Sequence, residues 1–125
     1  MEVIEVQLKI SYQYRDAGNN KKYDEIVLDN PSGISSDVLF SLFRDAFIRD
    51  QQYSELTHIR PEQIGLPTLF FDEYDPELDH SLHEVLEISS TENSATIDIT
   101  VDEIIYQMKM HIQQQSAMKN DINFF

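Results

Sequence analysis

Four side chains in the second half of this 125-residue chain have the types and spacing for metal chemistry. His80, His83, Glu84 and Glu87 fall at i, i+3, i+4 and i+7, so a helix would put them on one face. Neutral imidazole and carboxylate are good zinc ligands, and that spacing suits chelation. The same residues would equally make the wet side of an amphipathic helix, with Leu78, Leu82, Val85 and Leu86 behind them. The run His83-Glu84-Val85-Leu86-Glu87 lacks the second histidine of the HExxH metalloprotease pattern. The wet-face reading is preferred, and no metal or cofactor is assigned. Asp75, Glu77 and Asp79 imitate the first ligand positions of a calcium loop. His80 then stands where that loop needs a glycine, and Leu86 where it needs a bidentate glutamate, so no EF-hand is predicted.

Other chemistries are poorly provided for. There is no Cys, which excludes a disulfide framework, a thiolate metal site and a cysteine nucleophile. No GxSxG elbow and no glycine-rich phosphate loop occur. Carboxylate pairs are abundant, but abundance alone assigns none of them a role. No catalytic residue is named, and the chain is not read as an enzyme. Nucleic-acid binders need basic patches interleaved with aromatics. Here Lys21-Lys22 is the lone basic pair, and a solvated turn accounts for it.

Charge is the strongest signal. From Pro61 to Met108, 48 residues hold twelve Asp and Glu and no Lys or Arg. This stretch carries nearly all of the net charge of −14. Such a field repels nucleic acid and anionic membrane and attracts basic partners.

Length predicts one domain with a core of its own. The 7 Phe and 6 Tyr argue against wholesale disorder. Met1-Glu2-Val3-Ile4-Glu5 places acids where a signal peptide needs bases and an apolar run, and no apolar run approaches membrane-spanning length. A cytoplasmic location is expected.

The elements that would position these groups follow from periodicity. Ile4, Val6, Leu8, Ile10, Tyr12 and Tyr14 alternate with polar residues, which predicts a strand wet on one face. Asp16 to Asn20 is turn chemistry, and Tyr23 to Leu28 reads as the returning strand of a hairpin. Ser35 or Ser36 caps a helix expected to run to about Asp50, with Val38, Leu39, Leu42, Phe43, Ala46 and Phe47 as its apolar stripe and Phe40 widening it. Residues 51–66 are ambiguous. Leu66 to Phe71 predicts a short buried strand, and 72–79 an acidic loop. Residues 77–87 predict a short helix, with a strand at Val85 to Ile88 as the alternative. Ser89 to Ser94 predicts a turn and Ala95 to Val101 a strand. Thr100 and Glu103 have capping-box spacing ahead of Val101, Ile104, Ile105, Met108 and Ile112. That predicts a last helix over about 101–115, with Tyr106 and Met110 on its opposite side.

The fold class is α+β: an N-terminal β-hairpin, a main helix packed on a small mixed or antiparallel sheet, and a C-terminal helix. Residues 1–115 form the single domain and 116–125 a tail in which Phe124 and Phe125 dock. The hairpin-then-helix order resembles a β-grasp topology, which implies nothing about function.

The functional expectation is an acidic binding module covering a basic site on a partner protein. An immunity protein or antitoxin facing a nuclease toxin, or a nucleic-acid mimic, has this chemistry. Asp72, Glu73, Asp75, Glu77 and Asp79 are the expected contact. One rival is a structural or regulatory subunit that self-associates, as a homodimer would, through its last helix and aromatic tail. The other is a small metal-dependent enzyme using the His80–Glu87 face.

Overall fold

Alternation in the N-terminal segment builds half of the sheet. A computed structural model describes residues 6–16, 18–48, 57–71 and 82–123, with side chains as far as residue 114. Strands β1 (Gln7–Arg15) and β2 (Lys21–Leu28) form an antiparallel hairpin with Leu8 opposite Leu28 and Arg15 opposite Lys21. Leu8, Ile10, Tyr12 and Tyr14 are all buried on one face, as the period of two requires. In the turn, the Asp16 carboxylate accepts the Asn20 backbone N–H at 2.8 Å, and Asn19 takes the left-handed conformation at φ 64°. Asn tolerates that conformation because its short polar side chain bonds locally.

Helix α1 (Ser36–Ala46) begins where Ser35 Oγ accepts the Val38 N–H at 3.2 Å. Leu39, Phe43, Ala46 and Phe47 are buried, while Phe40 and Leu42 are half-buried. Val38 departs from the expected stripe and is 49% exposed. The buried face is centred on Leu39 and Phe43, which turns Val38 outward. The α-helix ends at Ala46 with Phe47 as its C-cap, four residues short of the expected end at Asp50.

The ambiguous stretch supplies strand β3 (Thr57–Ile59) and a 3-10 turn at Pro61–Gln63. Gly65 follows at φ +84°, and a Cβ there would meet Ile99 Cδ1 at 3.0 Å. The positive φ favours glycine, and a Cβ would also require the Ile99 methyl to shift.

Strand β4 (His83–Thr91) lies between β1 and β3, giving the order β2-β1-β4-β3 with every pair antiparallel. Its pairing with β1 corrects the helix expected over 77–87, and the turn expected at Ser89 starts three residues late. A β-bulge explains the misreading. Ser11 faces Glu87 while Tyr12 faces Val85, so Leu86 is an extra residue with no partner in β1. The spacing of Leu82, Val85 and Leu86 looks helical in sequence, but Leu86 is that extra residue and is 42% exposed, while Val85 and Ile88 point inward, in the strand offered as the alternative. The β-grasp likeness also fails, because that fold pairs its first and last strands in parallel and β1 runs antiparallel to β4.

Two other expected strands are absent. In 66–71 the backbone bonds to side chains instead of to a ladder: the Leu69 N–H donates to His83 Nε2 at 3.0 Å, and Pro67 O accepts the Tyr12 hydroxyl at 2.6 Å. In 95–100 the chain meets the outer edge of β2 at one residue. The Thr96 N–H donates to Val27 O at 2.8 Å, and Thr96 Oγ1 accepts the Val27 N–H at 2.9 Å. A side chain does the work of the next carbonyl, so no ladder propagates.

Helix α2 (Val101–Asn123) starts at the expected cap, where Thr100 Oγ1 accepts the Glu103 N–H at 3.1 Å. It continues well beyond residue 115, through part of the expected tail. Val101, Ile104 and Met108 are buried, whereas Ile112 is 38% exposed. Tyr106 and Met110 face outward as expected. Helix α1 packs against α2, β3 and β4, and the two helices close the inner face of the sheet. No described helix is long and apolar enough to cross a membrane.

Candidate functional site

The acidic run at 72–79 lies outside the described residues, between Phe71 and Leu82. Strand β4 positions His83 opposite Tyr14 of β1 and Ile59 of β3, pointing into the core and fully buried. Its Nε2 accepts the Leu69 N–H, so the ring proton sits on Nδ1 and the imidazole is neutral. The Tyr14 ring lies 5.0 Å away, and the Phe70 ring packs edge-on at 5.3 Å. Tyr14 and Phe70 are themselves T-shaped at 5.0 Å, the geometry that aromatic quadrupoles favour. Phe71 adds a third ring, 6.3 Å from Tyr14. Tyr12 stands beside this box, its phenol pushed up above the usual range by burial and then by Asp24. The aromatic box joins the two ends of the acidic stretch to the sheet.

On the opposite face of the sheet, the neighbouring residue Glu84 is also buried. Its Oε1 accepts Gln13 Nε2 at 3.0 Å and Arg15 Nε at 3.2 Å, and Arg15 Nη2 stands 3.2 Å away as an ion pair. Arg15 Nη1 donates to Asn19 Oδ1 at 2.9 Å, which ties the pair to the hairpin turn. His58 of β3 lies next to Glu84 in register and is buried with it. The guanidinium is partly exposed and the carboxylate is not, so solvent screens only one partner.

Compared with known protein families, curated proteins and solved structures, the chain matches none.

The structure separates the proposed metal face. His83 points into the core, Glu84 lies on the outer face, and Glu87 is exposed opposite Ser11. Successive strand residues alternate faces, so the i, i+3, i+4 geometry does not exist over 83–87. His80 lies outside the described residues, as do Asp72, Glu73, Asp75, Glu77 and Asp79. Among the described residues, no group of three or more His, Asp or Glu is placed to hold a metal ion. The sequence reading missed Gln13, Arg15 and His58. Arg15 and Glu84 are 69 residues apart. Their partnership depends on the β1–β4 register, which no local spacing reveals.

Proposed function

We propose that the chain is an acidic binding module that covers a basic site on a partner protein. An immunity protein or antitoxin facing a nuclease, or a nucleic-acid mimic, has the same chemistry. Asp72, Glu73, Asp75, Glu77 and Asp79 make the contact. The observation that carries this reading is the run of acids in a 48-residue stretch without Lys or Arg. Its support in the fold is the anchoring of both flanks by Leu69–His83 and the Tyr14–Phe70 box. Arg15, adjacent to that base in β1, is already engaged by Glu84 and offsets little of the field. Long-range attraction speeds encounter, and short contacts then occlude the basic groove.

The test compares the native chain with Asp72→Asn/Glu73→Gln/Asp75→Asn as bait for a basic partner. The native chain should capture a protein rich in Lys and Arg with an association rate that falls steeply as salt rises, and the neutralised chain should lose most of that slope. A partner bound equally by both baits at every salt concentration would refute the reading.

A further inference from the structure

One edge of the sheet carries a charge pattern that complements itself. Strand β2 is the edge beyond β1, and Lys21, Lys22, Tyr23, Asp24 and Glu25 are all exposed. Two bonds set the phase of its backbone. Val27 exchanges hydrogen bonds with Thr96, away from β1. The Glu25 N–H, with the same outward phase, is met by the Asp24 carboxylate at 2.8 Å. Lys21, Tyr23 and Glu25 thus present their N–H and C=O groups outward, and no ion pair among the described residues holds Lys21 or Lys22. An unpaired edge of this kind is a template for another strand.

We infer that the Lys21–Glu25 edge of β2 pairs antiparallel with the same edge of a second copy, in a register centred on Tyr23. A two-fold axis through that residue sets Lys21 opposite Glu25 of the second copy and Lys22 opposite Asp24. Every charge then faces its opposite, and Tyr23 faces Tyr23. The backbone phase agrees, since Tyr23–Tyr23 and both Lys21–Glu25 pairs fall where hydrogen bonds are exchanged. Neighbouring registers with the same phase fail. Centring on Lys22 opposes Lys22 to itself, and centring on Asp24 opposes Asp24 to itself. Like charges directly opposite are destabilising. Thr96, capping Val27, stops the pairing at its far end. Asp24 releases the Glu25 N–H when Lys22 of the second copy arrives. Tyr23 already donates its hydroxyl to Glu25, which leaves the second carboxylate oxygen for the incoming Lys21.

The interface is small, so the dimer is weak, with a dissociation constant of about micromolar or above. Association is measured by sedimentation over a concentration series at physiological ionic strength, using the full-length chain. The native chain should dimerise reversibly. Lys21→Glu/Lys22→Glu should weaken self-association by about tenfold or more, and Asp24→Lys/Glu25→Lys should do the same. Mixing the two variants restores full complementarity and should yield a heterodimer at least as tight as the native dimer. All four side chains are exposed, so both variants keep the fold, which far-UV circular dichroism checks. The inference is overturned by a native chain that stays monomeric up to about millimolar concentration. A dimer that survives in both variants also overturns it, as does a mixture that forms no heterodimer, or a dimer abolished by deleting residues 121–125 instead.

Discussion

Tyr12 and His83 show how single side chains set the behaviour of this core. The Tyr12 phenol is held neutral by burial, reinforced by Asp24, and it donates to Pro67 O. An acid whose pKa is raised by folding contributes stability that is fully present below its unfolded value, about 10 for a phenol. That contribution is lost as pH rises above that value. Denaturation midpoints should therefore be flat through neutral pH and fall in strongly alkaline buffer. Tyr12→Phe should flatten the alkaline fall while costing about 1 kcal/mol for the lost hydrogen bond. An alkaline fall that persists in Tyr12→Phe would assign it to another group. His83 acts as a buried acceptor, so a chelator should leave the melting temperature of the native chain unchanged. His83→Ala, by contrast, empties part of the aromatic box and orphans the Leu69 N–H, a loss of about 3 kcal/mol in a denaturant titration. A chelator effect as large as that of His83→Ala would return the ring to a metal.

The elements differ in how openly the chain announces them. The hairpin was legible because Leu8, Ile10, Tyr12 and Tyr14 alternate without interruption. Both helices were legible because Ser35 and Thr100 cap apolar stripes. Strand β4 was obscured because Leu82, Val85 and Leu86 have helical spacing, and Leu86 is the bulge residue, which no partner in β1 meets. The strands expected at 66–71 and 95–101 failed for another reason. Their apolar residues do pack on the core, but Tyr12 and His83 satisfy the backbone of 66–71 through side chains, and the Thr96 hydroxyl takes the Val27 N–H that a next strand residue would have met, a long-range outcome no window of sequence contains. For the candidate site, the acidic run was evident and its anchoring was not, because Tyr14, Phe70 and His83 meet only through the sheet register. Helix α1 provides a direct check on where its buried face lies. Phe43→Ala should cost about 3–5 kcal/mol, since the ring is fully buried. Val38→Ala, on the exposed side, should change stability by less than about 0.5 kcal/mol. Equal losses at the two positions would place the stripe elsewhere.

For the whole molecule, the net charge of −14 is a standing source of self-repulsion. Exposed like charges repel across the surface, and salt screens them beyond about 8 Å at physiological ionic strength. Thermal stability should therefore rise with sodium chloride from low to moderate concentration, while capture of a basic partner weakens over the same range. The opposing slopes separate the internal cost of the acidic field from its external use. A melting temperature that falls with added salt would mean that attractive pairs such as Arg15–Glu84 outweigh the repulsion.

The extra residue at Leu86 bears on how this chain can change length. Removing one residue from a regular strand exchanges inside for outside along everything that follows. Deleting Leu86 does the reverse: it leaves His83 and Val85 inward, Glu84 and Glu87 outward and Ile88 inward, in strict alternation. β4 thus holds a position where a codon can be gained or lost without inverting the sheet. A chain lacking Leu86 should fold with its core composition intact, whereas deletion of Ile88 should abolish cooperative unfolding. Among diverging copies of this protein, tolerated length variation in β4 would gather at that site, as an inherited mark of an insertion absorbed by the pleat.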